Sequence, residues 1–394
     1  MARFTMNTPE GTRDLLYGDC CLRRQVQRDL TGVFRRCGYS EIATPVVEYY
    51  QVFSRAGSAV AEEGTLKMID RSGRILVLRP DCTLPIARVA ATHLRHEPLP
   101  LRLYYNETIF RAAKANAGHM SEVDQCGVEL IGSPGRRADA EVVATALQAL
   151  QSCGLQTYRI ELGHAGFFKA LADELETDVE NVETIRTLIE QKSFAALDDF
   201  LRENFSDRPS CEALRRLSRL FGGEDVLSRA RALTGNSAAL QALDELEQVY
   251  RELCAAGWQA HVGFDLGLVH QIDYYTGMVF CGYVEGYGHV VVTGGRYDCL
   301  MERYGRSAPA TGFAIDVDGV ASALRGAEMQ RAQKLIHYEP GCLAAAMELQ
   351  RRSAPGEAEL SCCETVEESR RLAREKGIAS LVLVRRDGVS EETI

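Results

Sequence analysis

The 394-residue chain contains thirteen cysteines but no Cys-x-x-Cys pair. That absence argues against the common zinc and dithiol arrangements, and an odd count argues against a complete disulfide frame. Reduced thiols are expected, as in a cytoplasm. The vicinal pairs Cys20–Cys21 and Cys362–Cys363 are expected to be packing residues. No apolar run reaches the ~18 residues of a membrane span, so no membrane contact is expected. The first residues, MARFTMNTPEGTRD, hold no apolar core of the signal-peptide kind, which predicts a cytoplasmic chain. Cations are not in excess either. There are 45 Lys and Arg against 55 Asp and Glu, a net charge of −10. That balance weighs against broad binding of a nucleic-acid backbone, though it leaves room for a local basic patch.

What is present is a globular composition, 46% apolar and 25% charged, long enough for two or three domains. Leu22, Val26, Leu30 and Val33 recur at helical spacing and predict a helix over about 20–37, stopped by Gly38. SEIATPVVEYY reads as a strand, with Pro45 marking an edge or interface. TLKMIDRSGRILVLRPD reads as a hairpin turning at Arg71-Ser72-Gly73. A helix over about 84–96 follows. Then come strands LRLYYNETIF and VDQCGVELIG, a helix over about 137–153, and strand TYRIELGH. From about 165 to 257 the pattern is wholly helical, with i,i+4 charge pairs and no strand signal, as in a helical insertion. Strands resume at HVGFDLG, MVFCGYVEG and HVVVTGG, before a helix over about 316–324. Beyond residue 333 the tail alternates β-α-β-α-β, which predicts a small three-stranded parallel sheet. The main body, with its adjacent strands, predicts an antiparallel sheet flanked by helices, an α+β fold.

Four stretches carry chemistry-bearing residues: LRPDCT (78–83), FRAA…DQCGVE (110–129), LVHQIDYYTG (268–277) and TGGRYDCLMERYG…TGFAIDVDG (293–319). An arginine at a strand end, such as Arg111, is well placed to grip a phosphate. Yet Ala112 and Ala113 follow it, and the loop offers only Lys114 and His119 as cations. Singly, each stretch also has a plain structural reading. Gly294-Gly295 suits a tight turn, and Tyr274 and Tyr275 suit a core and a surface aromatic. Glu129 is more pointed, because a carboxylate on an apolar strand needs a partner.

In order and spacing, the four stretches resemble the catalytic domain of histidyl-tRNA synthetases, a class II family. TPEGTRDLL and GYSEIATPVVE match that family's phrasing too, so the resemblance covers roughly residues 5–325. It implies a class II antiparallel sheet in a dimer built across the segment holding Pro45. The departures are specific. Where the family places an adenine-reading Glu, Ala113 stands; where it places a phosphate-binding loop Arg, His119 stands. The family's LVRGLDYYTG reads LVHQIDYYTG here, with His270 for the Arg that meets the amino-acid carboxylate and the reacting phosphate. The third motif's Glu-Arg is replaced by Asp318-Gly319, and Asp316 and Asp318 would repel a triphosphate. Amino-acid activation depends on fixed cations, so this pattern implies that adenylation is lost.

By the same resemblance the histidine pocket is kept. Glu129 and a Tyr hydroxyl would read the imidazole, and Asp81, Thr83 and Gln125 would receive the ammonium group. With Tyr274, Tyr275 and Arg111 these residues make up the expected histidine-binding set. Asp81 is one methylene shorter than the family's Glu. No catalytic residue, cofactor or metal is expected. The tail after residue 333 is shorter and more acidic than an anticodon-binding domain. The combination resembles the synthetase-like regulatory subunits of ATP phosphoribosyltransferase. That implies domains at 1–325 and 333–394, and a homodimer within a hetero-oligomer with the short-form catalytic subunit. It also implies histidine as ligand and no tRNA partner. A divergent synthetase and a module sensing uncharged tRNA are the other readings. The changed arginine positions weigh against the first, and the acidic balance and short tail against the second.

Overall fold

The computed structural model describes residues 7–54, 64–112, 120–269, 275–324 and 332–394. Two compact units emerge, Asp19–Arg325 with Met1–Leu15, and Gly326–Ile394 with Leu16–Gly18. Helix α1 (Tyr17–Arg36) buries Val26, Leu30, Val33 and Phe34, a 3.6-residue stripe, and leaves Arg24, Arg28, Arg35 and Arg36 exposed, with Arg23 half-buried. It ends before Gly38, whose φ of +83° suits glycine. The segment expected as one strand over 40–50 is divided. β1 (Ser40–Glu41) and β2 (Val47–Tyr49) lie in different sheets, with Pro45, which has no N–H to give a ladder, between them. Residues Tyr50–Ser54 turn into a short helix, α2. β3 (Lys67–Ile69) and β4 (Ile75–Leu78) form the expected hairpin. Its turn is held by Asp70, whose carboxylate accepts from the N–H of Ser72 at 2.8 Å and of Arg74 at 2.9 Å.

Helix α3 (Thr83–Ala91) is shorter than expected. β5 (Leu101–Phe110) and β6 (Glu122–Ile131) pair over their full length, and α4 (Arg136–Ser152) and β7 (Tyr158–His164) follow. The helical segment runs through α5 (Ala165–Asp173), α6 (Val179–Glu190), α7 (Phe194–Phe205), α8 (Cys211–Leu217), α9 (Asp225–Arg231) and α10 (Ser237–Ala255). It is not wholly helical. A two-residue strand, β8 (Phe221–Gly222), pairs with β9 (Val262–Asp265), and two residues are too few to show a period. β10 (Met278–Val284), β11 (Val292–Arg296), β12 (Ala310–Asp316) and α11 (Val317–Ala323) complete this unit.

Its main sheet has nine strands in the order β1-β5-β6-β12-β11-β10-β7-β9-β8. Pairing is antiparallel except between β1 and β5 and between β7 and β9. One face packs on α1 and α4 through Tyr104, Val128, Leu130 and Phe313. The other packs on α2 and α3 through Tyr105, Ile109, Phe53 and Ile86. The alternation of the pleat therefore decides which β6 residues meet which layer. Val128 and Leu130 go to the α1 side. Gln125 and Glu129 go to the α3 side.

In the second unit, β13 (Lys334–Tyr338), α12 (Leu343–Arg352), β14 (Ala358–Leu360), α13 (Val366–Lys376) and β15 (Ser380–Arg385) give the expected parallel trio. Thr365 and Glu368 close a reciprocal capping box at the start of α13. A fourth strand, β16 (Gly388–Thr393), pairs antiparallel with β15. It was not expected, because GVSEET has no apolar alternation and is mostly exposed. The vicinal cysteines depart from expectation as well. Cys20, Cys21 and Cys362 are exposed, not packed. No helix among the described residues is long and apolar enough to cross a membrane.

Candidate functional site

LRPDCT leaves β4 and starts α3, so its side chains arrive over the sheet face that carries Glu129. Thr83 donates its hydroxyl to Glu129 Oε1 at 2.7 Å. The Tyr297 hydroxyl donates to the other oxygen, Oε2. Glu129 is 2% exposed. Opposite it in the ladder is Gly312, and a Cβ there would collide with the carboxylate. Glycine at that position is what lets a buried acid stand on the sheet. Burial pushes the Glu129 carboxyl well above its ordinary range, the Thr83 bond pulls back, and Asp81 pushes it further.

Asp81 is raised as well, mainly by burial, with the Leu84 N–H and the Arg111 charge opposing. One of its oxygens accepts from the Leu84 N–H at 2.9 Å, so Asp81 also starts α3. Arg111 donates Nε–H to the Pro80 carbonyl at 3.1 Å, which ties the end of β5 to the LRPDCT turn. The structure thus brings Asp81, Thr83, Arg111, Gln125, Glu129 and Tyr275 around one cavity, together with Tyr297 and Gly312. Tyr274 lies outside the described residues, as do Ala113, Lys114, His119 and His270. The cavity is about 40 Å³, which suits a few water molecules. An amino acid would enter only with movement of the lining side chains. Two carboxylates, buried Glu129 and half-buried Asp81, thus line one cavity with Arg111, a set chemically suited to a group bearing an ammonium. Tyr297 was not singled out in the sequence. Its signal was the TGGRYD stretch, where the glycines suggested only a turn.

The nucleotide side is built differently. Asp318 receives Arg23 at 3.0 Å and Arg13 at 3.4 Å. Arg23 also reaches Asp124 at 2.9 Å. Asp316 accepts from the Gly319 N–H at 3.0 Å, and burial raises its carboxyl. A Cβ at Gly319 would stand 2.8 Å from the Tyr287 ring and 2.9 Å from Asp316. Cations in this region are therefore bound by the chain's own acids, and position 319 has no room for a larger side chain without movement of Tyr287 or Asp316.

A larger cleft lies elsewhere, about 770 Å³ in the helical segment between Phe194, Arg215, Arg219 and Arg229. Arg215 is paired there with Asp198 and Glu212. Size alone does not locate the converging polar groups; Glu129 and its donors do.

Comparison with known proteins bears on the whole chain. The histidyl-tRNA synthetase family model matches residues 11–320. An ATP phosphoribosyltransferase regulatory subunit from Clostridium kluyveri is 41% identical over 326 residues, 82% of this chain and 83% of that one. One from Clostridium novyi is 37% identical over 98% of this chain and 93% of that one. A crystal structure from Bacillus halodurans, described as an ATP phosphoribosyltransferase regulatory subunit/histidyl-tRNA synthetase, superposes with a TM-score of 0.87 at 31% identity. It covers 97% of this chain and 99% of that one.

Proposed function

Because the chain belongs to the ATP phosphoribosyltransferase regulatory subunits, which are built on the histidyl-tRNA synthetase fold, we propose that it acts as the non-catalytic partner of the short-form transferase at the first step of histidine biosynthesis. Its synthetase-like pocket binds histidine and contributes to feedback control. In this reading residues 1–325 are the synthetase-like domain, with a helical insertion at about 165–257, and residues 333–394 a small α/β domain. The protein works in the cytoplasm and takes no tRNA. One contrast supports the reading above the others. The pocket that would read an imidazole has both carboxylate oxygens of Glu129 in hydrogen bonds, whereas on the nucleotide side Asp318 is held by Arg13 and Arg23.

The test is reconstitution. The short-form catalytic subunit is expected to be poorly active alone. It is expected to gain at least about tenfold in phosphoribosyl transfer when this chain is added at micromolar concentration, as for a complex held by roughly −8 kcal/mol. Size-exclusion chromatography showing two separate species at that concentration would remove the regulatory reading.

The homodimer has its own support. The β2-β4-β3 sheet turns Glu48 and Val77 inward. Its outer face shows Val47, Tyr49 and Met68 at 40%, 41% and 40% exposure, beside the Pro45 segment. An apolar face of this kind on a small edge sheet suits a self-complementary interface. Val47→Asp with Met68→Asp is expected to shift the protein from dimer to monomer in light scattering. An unchanged dimer mass would place the interface elsewhere.

A further inference from the structure

We propose that the outward face of α1 is a binding site for a multiply charged oxyanion, of the phosphate ester or diphosphate class. Arg24, Arg28 and Arg35 line a groove of about 530 Å³ together with Thr31 and Asn106. No carboxylate among the described residues lines it, in a chain whose net charge is −10. The spacing 24, 28, 31, 35 puts these side chains on one stripe of the helix, opposite the buried Val26, Leu30 and Val33.

Arg24 and Arg28, one turn apart, are a like-charge pair that opposes helix formation. Among the described residues, neither is relieved by an acid. Arg24 donates to the Gln27 side-chain oxygen at 2.9 Å, and Arg28 to that of Gln25 at 2.7 Å. Asp29, the acid in this stretch, is held by Gln25 at 2.9 Å and is not in the groove wall. Arg35 is the most engaged, with the Tyr104 hydroxyl at 2.7 Å and Glu41 at 3.2 Å. Asn106 accepts the Cys126 thiol proton through its side-chain oxygen at 3.3 Å, which leaves its NH2 as a donor. The groove therefore offers guanidinium forks and an amide donor to a group that only accepts. A phosphate or diphosphate has that character and the charge to relieve the arginines. Asn106 lies on the sheet face opposite Glu129, so this site is separate from the histidine pocket and does not depend on the regulatory role.

Cys20 and Cys21 border the groove and are exposed, which gives a local reporter. Inorganic pyrophosphate titrated into the full-length protein at low salt should bind at one saturable site by calorimetry. Arg24→Gln with Arg28→Gln should weaken it at least about tenfold per guanidinium lost. Both variants keep helix-forming side chains, and an unchanged melting temperature checks the fold. In the wild type, pyrophosphate should also slow iodoacetate labelling of Cys20 and Cys21, read by mass spectrometry, and should not do so in the double variant. Equal binding by the double variant overturns the proposal, as does no saturable binding at millimolar pyrophosphate. Protection of the thiols by a polyglutamate peptide but not by pyrophosphate also overturns it, and marks the face as a protein-docking surface instead.

Discussion

Given histidine, ATP and labelled pyrophosphate, the protein is expected to return no exchange above a no-protein background. Activation of an amino acid piles charge on a phosphorus, and preorganised cations carry most of the rate. Removing one such group costs about 10²–10³ in rate, and the losses of grouped residues do not simply add. By the resemblance to the synthetases, Ala113, His119, His270 and Gly319 occupy positions filled in that family with charged side chains. A histidine cannot stand in for an arginine, since imidazole is largely neutral at pH 7 and lacks the guanidinium fork. Reversal at one position should not restore activity. An arginine at 319 would begin with a Cβ 2.8 Å from the Tyr287 ring, and Asp318 would still hold Arg13 and Arg23. Histidine-dependent exchange by the wild type, clearly above background, would show that a working nucleotide site persists.

How far this site could be read in advance depended on distance along the chain. Glu129 stood out because a carboxylate amid VDQCGVELIG has no bland explanation. Its donor Thr83 was legible through a motif that leads into a helix. Tyr297, which reaches the same carboxylate from 168 residues away, was not. Gly294 and Gly295 form part of strand β11 rather than the turn they suggested, and nothing local to the tyrosine that follows them says which strand it will face. The Arg23–Asp318 pair spans 295 residues and was hidden for the same reason. At the level of the fold, α1 was legible because its period is strong and one face is buried, and the β3–β4 hairpin because Arg71-Ser72-Gly73 marks its turn. β16 was missed because it covers no core and so carries no pattern. Pro45 drew attention correctly to an edge, yet the strand it interrupts is divided between two sheets, which propensity cannot show.

Glu129→Gln is expected to weaken histidine binding by roughly 10- to 150-fold, the equivalent of a charge-assisted hydrogen bond of about 1.5–3 kcal/mol. The substitution keeps the shape that Gly312 and Tyr297 accommodate, removes the charge and replaces one acceptor oxygen with an NH2 donor, so the hydroxyl it meets, Thr83 or Tyr297, must turn to accept. Burial and Asp81 hold the Glu129 carboxyl well above its ordinary range in the empty pocket, and Asp81 is raised alongside it. A bound ammonium or imidazole N–H favours the ionised carboxylate, so binding should lower both values and release protons. The sign follows. Affinity should fall as pH drops, because more of the pocket's carboxyl groups must then be deprotonated at a cost before histidine is held. In Glu129→Gln that pH dependence should shrink to the parts contributed by Asp81 and by the imidazole of histidine itself. Calorimetry in two buffers of different ionisation enthalpy reads the proton release directly. Histidine should be preferred over amino acids without a ring donor and acceptor, since those would leave the pocket's polar atoms buried and unpaired. Unchanged affinity in Glu129→Gln would move the histidine site away from this pocket. Weakened binding with unaltered feedback in the reconstituted transferase would keep the pocket but place the inhibitory histidine on the catalytic subunit or between the two.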